Sequence, residues 1–294
     1  MTPVTAFPEI NVTRPRSLAR VIRAVPASDG AGVRLLRSLG QTPGARVDPF
    51  LMLDHLSSEN PDDYVAGFPS HPHRGFETVT YMLDGHLLHE DHLGNRGHLR
   101  SGGVQWMTAG RGVIHSEMPQ QERGRMRGFQ LWINLPAAEK MKPARYRDLG
   151  AEEIPDVALP DGARVRVVAG TLDVAGARAE GPIAGLATEP LFFDVALPAN
   201  GAFDHPLAAG HSAFVYPYEG ALDVAGVALP THAAGVLEGD GGIAVRANAG
   251  AARFLLLAAK PLREPVVQWG PFVMNTRDEI EQAIRDYQDG SLVG

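Results

Sequence analysis

Two short triplets hold the residues of this 294-residue chain best suited to chemistry: His71-Pro72-His73 and, some forty residues later, His115-Ser116-Glu117. In an extended strand, residues two apart project from the same face, about 6–7 Å apart. Each triplet therefore offers two ligand-type side chains on one side of a strand. Two such pairs brought together would converge on one point. Three imidazoles and one carboxylate form a mixed nitrogen and oxygen set, suited to iron, manganese, nickel, copper or zinc rather than calcium. Four protein ligands would leave two positions of an octahedral shell open for a substrate and dioxygen. A single His-x-His is weak evidence, because a strand histidine is more often structural. Two spaced pairs favour a metal. A second carboxylate, Glu77, stays in play: residues 71, 73, 75 and 77 share a face if the strand is regular, and Pro72 and Gly75 leave that regularity open.

Other histidines carry less. His86, His89, His92 and His98 lie among Glu90, Asp91, Gly94 and Asn95, a polar cluster that reads as an exposed hairpin. His205, His211 and His232 lack paired spacing and read as structural. Gln130 and Trp132 alternate on a strand after the second triplet and are candidates for a pocket wall, although a strand aromatic is more often core.

The elements around these residues read as many short strands. Runs rich in β-branched and aromatic residues cover 77–83, 103–107, 128–134, 164–168, 191–197, 213–218 and 253–257, with Gly, Pro, Asn and Asp between them. That spacing predicts a sandwich or barrel rather than βαβ units, and the 33 glycines and 23 prolines are its turn residues. A helix is expected near the C-terminus. Thr276 and Glu279 suit a capping box, Ile280, Ala283, Ile284 and Tyr287 share a face, and Gly290 supplies a stop. A shorter helix over 137–141 would mark the passage between halves. The chain also repeats itself at roughly 132 to 135 residues. Tyr81-Met82-Leu83-Asp84-Gly85 is echoed by Tyr216-Pro217-Tyr218-Glu219-Gly220, Gly103-Val104 by Gly235-Val236, and His71-Pro72-His73 by His205-Pro206-Leu207. In that register the second half keeps the fold and loses the second histidine.

Composition excludes several function classes. There is no cysteine, which removes disulfides, thiolate catalysis and sulfur-rich metal sites. The net charge of −7 argues against a nucleic-acid surface. Arg14, Arg16, Arg20 and Arg23 read as solvated surface charges rather than a binding stripe. The first residues hold no apolar signal core and no run is long enough to span a membrane, so a cytoplasmic location is expected.

Beyond spacing, His71-Pro72-His73-Arg74-Gly75-Phe76-Glu77-Thr78-Val79-Thr80 and Gly110-Arg111-Gly112-Val113-Ile114-His115-Ser116-Glu117 resemble the signature of the pirin family. The likeness extends to Asp48-Pro49-Phe50-Leu51-Met52-Leu53-Asp54, to Gln130-Leu131-Trp132-Ile133-Asn134-Leu135-Pro136, and to Gly270-Pro271-Phe272-Val273-Met274-Asn275 near the end. The resemblance implies an all-β bicupin: two double-stranded β-helix (jelly-roll) barrels packed face to face, with a C-terminal α-helix. The expected domains are 1–145, which binds metal, and 146–294, which lacks it and ends in the helix.

Carried over by position, the ligands are His71, His73, His115 and Glu117. The general cupin pattern would instead use a glutamate four residues after the second histidine, where Glu77 stands; the resemblance leaves Glu77 a supporting or structural role. One divalent transition metal per chain is implied, iron(II) first, with manganese, nickel, copper, cobalt or zinc as alternatives. The implied activity is of the quercetin 2,3-dioxygenase type, in which a flavonol ring is opened with O2 and carbon monoxide leaves. Glu117, then Glu77, would accept the substrate hydroxyl proton. The alternative is a metal-dependent regulatory protein acting through protein partners, as eukaryotic relatives are linked to transcriptional co-regulation; the absence of a nuclear-type basic cluster lowers it. The expected partners are a small aromatic substrate and O2, with no nucleic acid and no membrane. A protein partner stays open, and the chain is taken as a monomer.

Overall fold

The computed structural model describes residues 15–293. Its chain is almost entirely β, in two compact units. In order, it runs through β1 (Ser17–Arg23), β2 (Val25–Asp29), β3 (Val33–Arg37), β4 (Phe50–Ser58), β5 (Phe68–His73) and β6 (Phe76–Asp84). There follow β7 (His86–Asp91), β8 (Arg96–Arg100), β9 (Val104–Thr108), β10 (Val113–Pro119), β11 (Met126–Asn134) and β12 (Arg145–Leu149). The second series is β13 (Asp156–Ala158), β14 (Arg164–Ala169), β15 (Thr171–Val174), β16 (Ala177–Glu180), β17 (Leu191–Leu197), β18 (Ala202–His205) and β19 (Ser212–Glu219). It continues with β20 (Leu222–Val224), β21 (Val227–Leu229), β22 (Ala233–Glu238), β23 (Ile243–Ala247) and β24 (Ala252–Ala259). The chain closes with β25 (Val267–Trp269), β26 (Phe272–Met274) and α1 (Arg277–Gln288).

The first barrel comprises Ala24–Glu153 and the chain from Leu262 onward. A seven-stranded sheet, ordered β12-β9-β6-β11-β4-β3-β2, accompanies a four-stranded sheet, β5-β10-β7-β8. Met82 and Met126 of the larger sheet pack with Leu87 and Leu99 of the smaller one. Each such side chain removed from water contributes about 1.5–3 kcal/mol. The last segment joins this barrel through hydrogen bonds, an ion pair and apolar packing. The Asp48 carboxylate accepts the backbone N–H of Leu262 (3.1 Å) and of Arg263 (2.7 Å), and buried Arg74 pairs with Asp286 of α1 at 2.6 Å. Ile280 and Ala283 of α1 pack on Phe272 and Met274.

The second barrel holds the described residues up to Arg23 together with Ile154–Pro261. Its sheets run β1-β22-β19-β24-β17-β14-β13 and β18-β23-β20-β21. Strict alternation builds it: Phe193, Val195 and Leu197 of β17 enter the core with Val165 and Val167 of β14. The two strand orders correspond place for place, so the sequence repeat is a repeat of fold. Tyr81 and Tyr216 lie on matching central strands, and Leu207 sits in the second core where the repeat places it opposite His73.

Three expectations need correction. The unit boundary does not fall at 145/146: β12 completes the first barrel's sheet beside β9, and the chain leaves that unit after Glu153. β1 pairs with β22 from Ser17↔Glu238 to Arg23↔Ala233, so the chain's first strand belongs to the second barrel, while α1 belongs to the first. Arg16 is no solvated charge. It is buried, donating to the carbonyls of Gly241 (2.8 Å), Ala208 (2.8 Å) and His211 (2.5 Å). Arg20 and Arg23 are exposed as expected, and Arg14 lies outside the described residues. The short helix over 137–141 is a single 3-10 turn, Ala137–Glu139. The capping box of α1 is present, with Thr276 accepting from the Glu279 N–H and Glu279 accepting from the Thr276 N–H.

Candidate metal centre

β5 and β10 pair antiparallel in the smaller sheet, with His115 opposite His71 and Val113 opposite His73. That register brings three imidazoles together. One ligand-type nitrogen from each of His71, His73 and His115 lies within 4.8 Å of the others, and among the described residues this is the one such group of three or more. Ring centroids stand 4.3 to 4.9 Å apart. His73 is wedged edge-on against Phe76 and Trp132, at 5.1 and 5.3 Å, which fixes its ring.

The protons can be placed by their partners. His71 Nδ1 donates to the Pro69 carbonyl at 2.8 Å, leaving its Nε2 a lone pair directed at His73 Nε2, 3.0 Å away. Two cis ligand nitrogens about 2.1 Å from one ion are themselves about 3.0 Å apart. His115 Nε2 is buried without a hydrogen-bond partner, a costly state for a polar atom unless something binds there. Burial holds the pKa of His73 well below the ordinary histidine value, helped by neighbouring His71. Burial, then His73, His71 and His89, do the same to His115. Both rings therefore keep the neutral form that a metal requires. The donor set fits a transition metal.

Glu117 lies two residues along β10, across a register shift in the pairing with β5. It stands outside the group of three and on the wall of a cavity of about 690 Å3, together with His71 and His73. Thr80 donates its hydroxyl to Oε1 (2.8 Å) and Gln130 donates Nε2 to Oε2 (3.2 Å). A carboxylate has about four lone-pair positions, so about two remain open to it. Gln130 and Trp132 are both cavity wall, so the pocket reading holds for them. The cavity wall also carries Arg37, which donates to both oxygens of Asp54 (2.8 and 2.6 Å) and to Asp29 (2.7 Å).

Glu77 is elsewhere. The strand breaks at Arg74-Gly75, where Gly75 has φ +91°, and the chain passes from the four-stranded to the seven-stranded sheet. A β-carbon at Gly75 would collide with the Val273 carbonyl. Buried Lys140 braces this corner, offering its three N–H groups to Gly75 O, Asn134 Oδ1 and Val273 O at 2.6 to 3.0 Å. Beyond it, Glu77 accepts from Thr108 Oγ1 (2.6 Å) and Trp106 Nε1 (3.3 Å), is 1% exposed and does not line the cavity. Burial raises its pKa against these bonds and nearby Lys142. Glu77, the second choice for taking a substrate proton, has no surface on this cavity.

His89 needs a correction. It is not on an exposed hairpin but 2% exposed, with its ring 5.1 Å from that of His115. The signal was available: His89-x-Asp91 has the same spacing of two as the ligand triplets, on a strand that pairs with β10. His86 and His98 are partly exposed, as expected of that hairpin. In the second barrel β23, Ile243–Ala247, takes the place of β10 without a histidine or a carboxylate, and His205 stands between Phe193 and Phe203.

Comparison with known proteins agrees with this geometry. The Pirin family model matches residues 32–133, and the model of the pirin C-terminal cupin domain matches 192–293. A Pseudomonas aeruginosa protein named "Putative quercetin 2,3-dioxygenase" is 55% identical over 96% of this chain and 99% of its own. This chain belongs to the pirin family. Human pirin is 40% identical over 89% of both chains. A crystal structure of quercetin 2,3-dioxygenase from Acinetobacter baumannii superposes with TM-score 0.86 at 33% identity, covering 95% of this chain and 99% of that one. The chain is accordingly a bicupin, as its paired sheets show.

Proposed function

We propose that this pirin is a metal-dependent dioxygenase that opens a flavonol such as quercetin with O2, releasing carbon monoxide. Its ion would be held by His71, His73, His115 and Glu117, one per chain, with iron(II) the first candidate. The observation that carries the reading is the convergence of three imidazoles, two of which, His71 and His73, line a cavity large enough for a small polycyclic ligand. Two similar proteins bear the quercetinase name.

Bound there, a redox-capable ion supplies Lewis acidity toward a flavonol hydroxyl and a route for electrons to O2. The chain supplies the rest. Glu117 has a free lone pair facing the cavity and accepts the hydroxyl proton at a carboxylate oxygen. Thr80 and Gln130 hold that carboxylate in one orientation. Trp132, Met52, Leu51 and Phe68 give the cavity apolar walls that suit flat aromatic rings and exclude water.

The test is metal analysis of protein purified without chelators, followed by O2 uptake and carbon monoxide release with a panel of flavonols. One ion per chain is expected, with O2 consumed in step with flavonol loss. No turnover after loading with iron, manganese, nickel, copper or cobalt would end the enzyme reading and favour a regulatory one.

A further inference from the structure

Behind His115 lies a chain of contacts that neither holds an ion nor faces the cavity. Its first member is His89 on β7, whose Nδ1 is 3.4 Å from His115 Nδ1. Its second is Asp91, whose Oδ2 is 3.5 Å from His89 Nε2. Asp91 is itself fixed. Oδ1 accepts the backbone N–H groups of Leu93 (2.9 Å) and Asn95 (3.0 Å), and Oδ2 accepts Asn95 Nδ2 (2.8 Å). The flat side of His89 stacks on Tyr146, centroids 4.4 Å apart and planes 22° apart. Tyr146 in turn accepts from Gln105 Nε2 at 2.9 Å. On β8 the residue paired with His89 is Gly97, and a β-carbon there would collide with the Tyr146 hydroxyl. A glycine is thus needed to seat the tyrosine that seats the histidine.

We infer that His89, anchored by Asp91 and Tyr146, is the positioning residue of this centre: it accepts the Nδ1 proton of His115 and so directs His115 Nε2 at the ion. A metal-bound histidine almost always donates its other ring N–H to a fixed acceptor, and losing that acceptor commonly weakens metal binding about 10–100-fold. Here the acceptor is a second imidazole backed by a carboxylate. The contacts are long for hydrogen bonds, within the range that tightens when such a site is filled.

The inference rests on His115 being a metal ligand, and its test reads metal directly. Cobalt(II) affinity is measured by competition with a chelator, and the cobalt absorption spectrum reports the ligand field. His89→Phe keeps the stack on Tyr146 and removes both nitrogens; it should bind cobalt about 10–100-fold more weakly, with a shifted spectrum. His89→Asn restores an acceptor near the Nδ1 position and should recover most of the affinity. Asp91→Asn keeps the turn contacts of Oδ1 and should weaken binding several-fold, which decides the matter if His89→Phe does not fold. Affinity within twofold of the parent in His89→Phe, equal weakness in His89→Asn and His89→Phe, or no change in Asp91→Asn overturns the inference alone. A parent chain that binds no cobalt overturns the metal reading with it.

Discussion

Glu117 and Glu77 are both buried carboxylates that accept two hydrogen bonds, yet only Glu117 meets the cavity. Glu117→Gln keeps the size and removes the charge. It should weaken iron binding by more than the 10–100-fold typical of a supporting residue and abolish most flavonol turnover. Glu77→Gln keeps an oxygen for Trp106 Nε1, and the Thr108 hydroxyl can turn to accept from the new amide, so iron content should stay at the parental level. Metal content of both variants at saturating iron checks this, and the reverse pattern would assign the general cupin ligand set. The clustering of His71, His73 and His115 was legible in the sequence because a period of two survives translation into a strand. The burial of His89, despite its spacing of two from Asp91, and of Arg16 was not. Each sits among polar neighbours, and sequence polarity cannot show that a carboxylate and a tyrosine, or three backbone carbonyls, wait beyond to bury it.

At the scale of elements, strand existence was readable and strand partnership was not. The run at 191–197 coincides with β17, and most of the other runs fall within a residue or two of observed strands. Nothing local announces that β5 and β6 belong to different sheets. That break depends on Gly75, Lys140 and a carbonyl contributed from Val273. β18 shows what an element does after losing its chemical partners. Burial lowers the pKa of His205 from 6.5 to about 4. Between those values the unfolded chain binds a proton that the folded barrel refuses, so stability falls as pH drops from about 6.5 to about 4. At ~1.4 kcal/mol per unit the loss reaches about 3 kcal/mol. Urea unfolding of the parent and of His205→Phe at pH 4.5 and 7.5 measures it; the variant should lose less on acidification, and an equal loss would place the proton elsewhere.

At the scale of the molecule, neither barrel is a continuous stretch of sequence. The chain crosses between units three times, after Arg23, after Glu153 and after Pro261. The unit that holds His71, His73, His115 and Glu117 therefore depends on residue 286. Asp286→Ala would leave the buried Arg74 guanidinium without its carboxylate, at a cost of about 3 kcal/mol. Calorimetry should show the transition of the first barrel lowered, with the iron ligands untouched; an unchanged transition would make the pair decorative. The interleaving also governs birth on the ribosome. Ser17 and its partner Glu238 are 221 residues apart, so at 5–20 residues per second the first strand leaves the exit tunnel roughly 10–40 s before its neighbour exists. The first barrel waits longer still, since α1 follows β22 along the chain. Neither unit can close early, and a nascent chain stalled after the ligand motifs would carry the histidines on a barrel lacking its final buttress.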